Sequence, residues 1–341
     1  MKEVRAAIIG FGGIARSHLR GYQILAGENE AVKLVAVCDI NPNQFTALVN
    51  INNATDAGGL SSDVHTYTSV DELIANEDFD MADICLPSYL HKEYAIKLME
   101  AGKHVLSEKP MALSSADCDE MLAAAKRTGR KLMIGQCLRF ASSYLFLKKC
   151  IDENTFGKVM HMFMHRLSAQ PRWGFERWFE DTEKSGGCIL DMHVHDVDMA
   201  RFLLGEPEAV STVALDGDVR WQVENTRLLY KDALVVINGS WGEAATVKFS
   251  SGFRVRFENA SVVADQSGKV TVYPNEGEIY SPELPRTNYM AEEIRAFAKS
   301  VLDDSYVNVN NPPESARETV RLVEKLRESA AQNGALVKNI D

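Results

Sequence analysis

The first 137 residues alternate between two patterns of hydrophobic and polar positions. Short apolar runs predict buried strands, and segments with an apolar residue every three or four positions predict helices. The predicted strands cover residues 4–10, 32–39, 81–86, 103–107 and 131–136. The predicted helices cover residues 13–26, 70–76, 90–101 and 116–128. Strands that alternate with helices are typical of a parallel sheet with crossovers on both of its faces.

The pattern changes after residue 137, where longer segments alternate between apolar and polar residues with a period of two. These segments predict strands over residues 159–168, 209–215, 227–230, 234–241, 246–250, 254–257 and 270–273. Helices are predicted only over 187–204, 289–302 and 314–332. We therefore predict an α/β domain over residues 1–137, followed by an α+β domain with a large, mostly antiparallel open sheet over residues 138–341.

Composition narrows the class of protein and its partners. A chain of 341 residues with 45% hydrophobic and 25% charged residues is expected to form two globular domains. Its net charge of −11 argues against nucleic acid and anionic membranes as partners, because both attract basic surfaces. The N-terminus runs straight into a predicted strand, so we expect no signal peptide. The six cysteines lack metal-binding spacing, which favours reduced thiols and a cytoplasmic location.

The segment between the first predicted strand and the first predicted helix is rich in glycine. It fits the pattern G-x-G-x-x-A, formed by Gly10, Phe11, Gly12, Gly13, Ile14 and Ala15. The first glycine permits a tight turn, the second lets the backbone approach a pyrophosphate, and the alanine allows close packing. The amides at the start of the following helix bind phosphates. We therefore predict a Rossmann domain in which Gly10, Gly12, Gly13, Ile14 and Ala15 contact a dinucleotide.

Asp39 ends the second predicted strand and indicates which dinucleotide binds. A carboxylate at this position accepts hydrogen bonds from both hydroxyls of the adenine ribose and repels a 2′-phosphate. The three residues that follow offer no arginine to hold such a phosphate. We predict NAD as the cofactor in preference to NADP. The alternative is that Asp39 only caps a helix that begins at Asn43.

Glu108, Lys109 and Pro110 follow a predicted buried strand. A lysine at the end of such a strand is costly to place unless it has a role. Pro110 ends the strand and fixes the backbone beyond the lysine, for which a cis peptide is one means. Lys109 is either a catalytic group in a pocket or a solvated strand end.

A second group of candidate residues lies on the helix predicted after Gly187. At about 100° per residue, Asp191, His195 and Asp198 share one face of this helix, and His193 points away from it. A carboxylate one turn before a histidine orients the imidazole or binds substrate beside it. A divalent metal site is one alternative, although no second histidine joins that face, and an amphipathic helix with solvated acids is another. We predict no metal here.

These features together resemble the Gfo/Idh/MocA family of NAD(P)-dependent sugar and cyclitol dehydrogenases, which includes inositol 2-dehydrogenases. The resemblance rests on the glycine-rich turn, on Glu108-Lys109-Pro110 and on the Gly-Gly…Asp-x-x-x-His-x-x-Asp pattern, and it covers nearly the whole chain. It implies that Lys109 reaches the nicotinamide ribose and the reacting hydroxyl. It also implies that Asp191 and His195 serve substrate binding and proton transfer.

The resemblance extends to the segment after the strand predicted over residues 81–86. Pro87 and His91 match the family's residues beside the nicotinamide, and Ser88 stands where Asn or Thr is common. Glu108 belongs to the same set of implied cofactor contacts. A second departure is His193, because the family often has glycine there, and this leaves the shape of the backbone or pocket at that position open.

The implied chemistry is the oxidation of a secondary alcohol, in which a hydride moves to the nicotinamide and a base removes the hydroxyl proton. His195 suits that role because an imidazole titrates near neutral pH. The sequence does not decide whether Lys109 or His195 accepts the proton first. Among the arginines and tryptophans that precede the histidine helix, Arg166 and Trp178 are the predicted substrate contacts, with surface packing as the alternative.

The open sheet of the second domain has an implication for assembly. An apolar sheet face with few helices to cover it is expected to pack on another subunit, as a homodimer or homotetramer.

The main prediction for the function is an NAD-dependent dehydrogenase acting on a sugar or cyclitol. One rival is a glycosidase or epimerase that uses bound NAD, and another is a non-catalytic sensor of NAD and sugar.

Overall fold

The computed structural model describes residues 3–47, 59–306 and 308–339, and the chain divides into two compact units. The first unit comprises Met1–Cys137 and Asn288–Arg317, and the second comprises Leu138–Thr287 and Glu318–Asp341. The sequence prediction placed one boundary after residue 137 and assigned everything beyond it to the second domain. The difference concerns residues 288–317, which belong to the first unit.

The first unit is built on a six-stranded parallel sheet with the order β3-β2-β1-β4-β5-β6. Its strands are β1 Val4–Ile9, β2 Val32–Cys38, β3 His65–Tyr67, β4 Met81–Ile84, β5 His104–Glu108 and β6 Leu132–Gly135. Its crossover helices are α1 Gly13–Gly27, α2 Val70–Asn76, α3 His91–Glu100 and α4 Ser115–Thr128. The strand order reverses between β1 and β4, which is the switch point where open α/β sheets bind ligands. The predicted Rossmann architecture is confirmed.

The helix that joins the first unit from the far end of the chain is α9, Tyr289–Leu302. Its apolar face, which includes Ile294 and Phe297, lies in the same buried core as Leu19 of α1. An added Cβ on Gly21 of α1 would lie 2.9 Å from the Ile294 side chain, so the small residue permits this close packing. Periodicity predicts this helix correctly, but it does not predict which core the helix joins.

The second unit is built on an eight-stranded sheet with the order β13-β12-β11-β7-β10-β9-β8-β14, antiparallel except between β7 and β10. Its strands are β7 Val159–Leu167, β8 Ala209–Leu215, β9 Val223–Leu229, β10 Leu234–Ser240, β11 Ser250–Phe257, β12 Ala260–Ala264, β13 Val270–Pro274 and β14 Val337–Lys338. Its helices are α5 Ser142–Asp152, α6 Thr182–Ser185, α7 Cys188–Asp191 and α8 Val194–Leu204. The last helix of the chain, α10, spans Pro313–Ala331 and crosses the division between the units. The predicted α+β fold class is confirmed.

Two local predictions for the second unit are wrong. The helix predicted over 187–204 is two helices, α7 and α8, because Met192 has a φ of −107° and the N–H of His193 donates to the carbonyl oxygen of Cys188, five residues back. The strand predicted over 246–250 is absent, since β11 begins only at Ser250. In the part of the chain that the structure describes, no helix combines the length and apolar character that a bilayer span requires.

Candidate active site

The glycine-rich turn between β1 and α1 has a backbone that only small residues fit. Gly10 has a φ of +86°, and a Cβ there would lie 2.9 Å from the carbonyl oxygen of Cys85. Gly12 is the N-cap of α1, where no side chain caps the first-turn amides and no acidic residue follows. Among the described residues, no atom lies within 4 Å of an added Cβ on Gly12. The start of α1 therefore offers amide donors and space for a pyrophosphate.

Asp39 connects the turns that follow β1 and β2. Its Oδ2 accepts a hydrogen bond from the backbone N–H of Phe11 at 2.7 Å, and its Oδ1 accepts one from Asn41 at 2.8 Å. The first-turn amide of Asn43 is capped by the Asn41 side chain, not by Asp39. Each carboxylate oxygen accepts more than one hydrogen bond, so Asp39 is suited to hold ribose hydroxyls as well. These residues fit the adenosine half of a dinucleotide.

The turn that carries Lys109 is held from a neighbouring strand end. The Lys109–Pro110 peptide is cis, which is the means of fixing the backbone that the sequence left open. His91, at the start of α3, places Nδ1 2.8 Å from the carbonyl oxygen of Pro110 and Nε2 2.9 Å from that of Leu86. With both ring nitrogens directed at the backbone, His91 ties the segment after β4 to the segment after β5.

The other predicted cofactor residues lie at the same edge of the sheet. Pro87 precedes a 3₁₀ turn, Ser88–Leu90, and Ser88 itself is buried. Glu108 ends β5 and is 5% exposed, with Oε1 2.9 Å from His18 Nε2 and Oε2 accepting from the Lys109 N–H at 3.1 Å. The structure thus brings the predicted cofactor residues of the first unit to the carboxyl ends of β1, β2, β4 and β5.

His18 is the residue at this site that the sequence reasoning missed. It lies on α1 at 0% exposure, among the apolar positions that face the sheet. A signal was present, because a histidine within the apolar stripe of an amphipathic helix must find buried partners. The neighbours Asp83 and Glu293, which were not predicted either, belong to the same buried group.

The second unit places the predicted catalytic pair on two helices. Asp191 is the last residue of α7, and His195 is the second residue of α8. Both side chains are partly exposed, unlike most of their neighbours in these helices. They are available to a ligand in a way that the fully buried residues around them are not.

Arg166 and Trp178 lie deeper in the second unit than a simple contact role suggests. Arg166 on β7 is 8% exposed and donates to both oxygens of Asp196, from Nε at 3.3 Å and from Nη2 at 3.2 Å. Trp178 is also 8% exposed and stacks on Phe179 with ring centroids 4.0 Å apart. Arg166 therefore contacts α8 through Asp196, whereas Trp178 packs against the neighbouring ring of Phe179.

Asp198 and His193 form hydrogen bonds with other residues of the second unit. Asp198, which was predicted to share a face with His195, accepts hydrogen bonds from Arg139 at 2.8 and 2.7 Å and from Thr319 at 2.7 Å. It anchors α8 within the unit. His193 is fully buried, with Nε2 3.0 Å from Thr226 Oγ1 and Nδ1 4.0 Å from Glu224 Oε1.

Possible metal ligands cluster around His18 and not around the predicted catalytic pair. Within residues 3–47, 59–306 and 308–339, the groups that bring three potential ligand atoms together are His18 with Asp83 and Cys85, and His18 with Glu108 and Glu293. Neither group includes Asp191 or His195.

Two family models match most of the chain. One, the oxidoreductase family with an NAD-binding Rossmann fold, matches residues 4–136. The other, the GFO/IDH/MocA C-terminal domain, matches residues 144–280. The chain belongs to the Gfo/Idh/MocA family of oxidoreductases. Residues 4–136 therefore form the NAD-binding Rossmann domain of this family.

The similarity extends to curated relatives. The chain is 34% identical over 225 residues to 2,7-anhydro-N-acetylneuraminate hydratase of Mediterraneibacter gnavus, covering 66% of this chain and 55% of that protein. It is 28% identical over 307 residues to inositol 2-dehydrogenase of Rhizobium meliloti, covering 87% of this chain and 86% of that protein. The chain thus spans about half the length of the first of these relatives.

A solved structure shows the same fold. Levoglucosan dehydrogenase in complex with NADH and levoglucosan superimposes with a TM-score of 0.84, at 19% identity, over 99% of this chain and all of that one. At this level of identity the likeness establishes the fold.

Proposed function

We propose that this protein transfers a hydride between NAD and a secondary alcohol of a sugar, a cyclitol or an anhydro sugar. The observation that carries the proposal is the placement of Lys109, which follows β5 at the strand-end edge that also holds the glycine-rich turn. Two similar proteins support the substrate class, since one is named an inositol dehydrogenase and another binds levoglucosan.

We assign the following roles to the residues of this chain. When bound, NAD supplies the hydride acceptor. Gly10, Gly12 and Gly13 hold its phosphates together with the amides of Ile14 and Ala15, and Asp39 holds its ribose.

Lys109 orients the reacting hydroxyl, and His195 takes the proton that the hydroxyl loses as its carbon becomes a carbonyl. Asp191 binds a neighbouring hydroxyl or orients the imidazole. Two further residues, His91 and Glu108, act indirectly. They fix the Lys109 turn.

The remaining cofactor and substrate assignments are proposals of the same kind. Pro87 and Ser88 shape the strand end beside the nicotinamide. Arg166 holds Asp196 on α8 next to His195, and Trp178 forms the aromatic support of the same unit. We propose that both of them define the shape of the substrate's surroundings.

A second candidate function is favoured by one relative. The hydratase adds or removes water, which is a reaction without net oxidation of its substrate. An enzyme of this fold would achieve such a reaction by removing a hydride and returning it to the same molecule. The residues assigned above would serve that chemistry equally well.

The test is a screen of inositols, aldoses, anhydro sugars, sugar acids and amino sugars for formation of NADH. With the best substrate, Lys109→Ala is expected to lower kcat by about 100-fold or more, because the hydroxyl loses its positive partner. Lys126→Ala, an exposed lysine on α4 of the same unit, is the matched control and should keep the parent rate.

A Lys109→Ala variant that retains its rate within about tenfold would remove Lys109 from the mechanism. A substrate deuterated at the reacting carbon separates the two candidates. Deuterium that accumulates in NADH supports the dehydrogenase, whereas deuterium retained in the product without net NADH supports the hydratase type.

Assembly and location complete the proposal. We infer a homodimer or homotetramer formed through the eight-stranded sheet, whose strands carry exposed apolar residues: Met160, Val213, Leu215 and Leu234. Removing such residues from water is a common driving force for association. Light scattering of the purified protein tests the assembly. We also propose a cytoplasmic location, in keeping with the burial of five of the six cysteines.

A further inference from the structure

A group of buried ionisable side chains lies on one side of the parallel sheet in the first unit. His18 and Tyr22 come from α1, Asp83 from β4, Glu108 from β5 and Glu293 from α9. None of them is more than 5% exposed. We call these five residues the buried histidine cluster. Three carboxyl groups in such a small apolar space require a specific arrangement of protons.

The hydrogen bonds of His18 define that arrangement. Its Nδ1 lies 2.8 Å from Asp83 Oδ2, and its Nε2 lies 2.9 Å from Glu108 Oε1. A neutral imidazole carries one N–H and satisfies only one of two carboxylates, whereas an imidazolium satisfies both. Burial lowers the pKa of His18, but the charges and hydrogen bonds of Asp83 and Cys85 together outweigh it, and the net pKa is raised well above its ordinary value.

Glu108 links His18 to the turn that carries Lys109. One of its oxygens faces His18, and the other accepts the backbone N–H of Lys109 at 3.1 Å. Burial raises the pKa of Glu108, yet its hydrogen bond with His18 is among the effects that leave the net pKa lowered. The ring of His18 thus connects α1, which starts at the glycine-rich turn, with the turn that carries Lys109.

We propose that His18 is a positioning residue for hydride transfer. As an imidazolium held by Asp83, it fixes the Glu108 carboxylate and, through it, the backbone of Lys109 relative to the helix that binds the cofactor. This inference rests on the proposed function, because it concerns the placement of Lys109 for that reaction. It adds a role for a residue that contacts neither cofactor nor substrate.

The other groups that face His18 agree with this charge distribution. The Tyr22 hydroxyl donates to Asp83 Oδ2 at 3.1 Å, and Cys85 Sγ lies 3.9 Å from Asp83 Oδ1. Among the described residues, neither carboxyl oxygen of Glu293 has a hydrogen-bond partner. Burial, followed by the charge of Glu108, raises the pKa of Glu293 well above its usual range, so its carboxyl is neutral.

His18→Gln and Glu293→Gln form a matched pair, because each places an amide in the same buried cluster. His18→Gln should lower kcat by about tenfold or more, because the Lys109 turn loses its fixed position. Its NAD dissociation constant should stay within about threefold of the parent, because the first-turn amides of α1 are unchanged. Glu293→Gln should match the parent in kcat near neutral pH, since it replaces a carboxyl that is already neutral there.

The pH profile distinguishes positioning from a general structural defect. Without its imidazolium partner, burial should raise the pKa of the Glu108 carboxyl above the ordinary value of a glutamate. The ratio of His18→Gln kcat to parent kcat should then rise with pH, as Glu108 ionises and attracts Lys109. A ratio that stays constant with pH overturns the inference, as does a fall in NAD affinity that accounts for the whole loss of activity.

The charge state of His18 is measured independently of any turnover. In protein labelled with ¹⁵N-histidine, both nitrogens of His18 should carry protons at pH 8. A His18 nitrogen without a proton, whether the ring is neutral or bound to a metal, overturns the inference. If no substrate yields hydride transfer, the proposed function fails, and this measurement still decides whether His18 is the charged link to Glu108.

Discussion

Each unit of the protein buries a histidine beside a carboxyl group. In the first unit both groups are charged, and in the second unit both are neutral. In the first unit, His18 lies within 2.9 Å of two carboxylates, those of Asp83 and Glu108. In the second unit, His193 lies 4.0 Å from Glu224 and makes its hydrogen bond to the neutral hydroxyl of Thr226. The residue types are the same, so the difference arises from geometry.

The pKa values follow that geometry. Burial lowers the pKa of His193 to about 3, and burial raises the pKa of Glu224 to about 8, so both are neutral near pH 7. His18 and Glu108 are equally buried, but their direct hydrogen bonds and charges shift the two pKa values the other way. Burial alone neutralises an acid and a base, whereas close pairing keeps both charged.

The largest expected effect is on the stability contributed by the two histidines. His18→Leu should lower the free energy of unfolding by about 3–5 kcal/mol at pH 7, because it leaves two buried carboxylates without their cation. His193→Leu removes only a neutral hydrogen bond and should cost about 1–3 kcal/mol. Urea unfolding of both variants measures the two costs. Equal costs, or a larger cost for His193→Leu, would contradict the comparison.

The next effect concerns Glu224, whose replacement should stabilise the protein. Its pKa is about 8 in the folded protein, above the ordinary value of a glutamate, so the folded state loses stability as pH rises towards 8. Glu224→Gln removes that loss and should raise the free energy of unfolding by up to about 3 kcal/mol at pH 7. The gain should shrink on acidification to pH 5.

Thermal melting from pH 5 to pH 8 measures this gain. Glu208→Gln, an exposed residue of the same unit, is the control and should change the melting temperature little at any pH. If Glu224→Gln destabilises the protein at pH 8, the carboxyl is ionised in the folded state and the comparison fails.

The smallest effect is the acid sensitivity that His193 contributes. Its pKa is about 3 in the folded protein, below the ordinary value of a histidine, so its contribution to stability is present at neutral pH and lost as pH falls. Between pH 7 and pH 5, His193→Asn should lose about 2 kcal/mol less stability than the parent. Melting curves at both pH values measure this difference. Both proteins should carry Glu224→Gln, which removes the opposing titration of Glu224 and leaves the contribution of His193. Parallel losses in parent and variant would show that His193 is charged when folded.

Local patterns predict much of the fold and the NAD-binding end of the first unit. Alternating strands and helices define the parallel sheet, and the glycine-rich turn with Asp39 identifies the dinucleotide-binding end. These features depend on residues close together in sequence, so their spacing carries the information. The hydrogen bond between Asp39 and the backbone N–H of Phe11, in the turn after β1, agrees with that interpretation.

The proposed substrate residues of the second unit depend more on tertiary structure. Helical spacing placed Asp198 beside His195, but the partners Arg139 and Thr319 give Asp198 a structural role. Likewise, Arg166 was expected at a ligand and is found against Asp196. The spacing of residues along one helix carries no information about which strand or helix packs against it.

By itself, the sequence determined the two fold classes, the glycine-rich turn and the position of Lys109 before a proline, because periodicity and backbone preference act locally. Only the tertiary structure decided that α9 completes the first core, that His18 lies between two carboxylates and that His193 lies apart from one. The charge of a buried group depends on distances of a few ångströms between residues far apart in sequence. Those distances are set only when the elements pack.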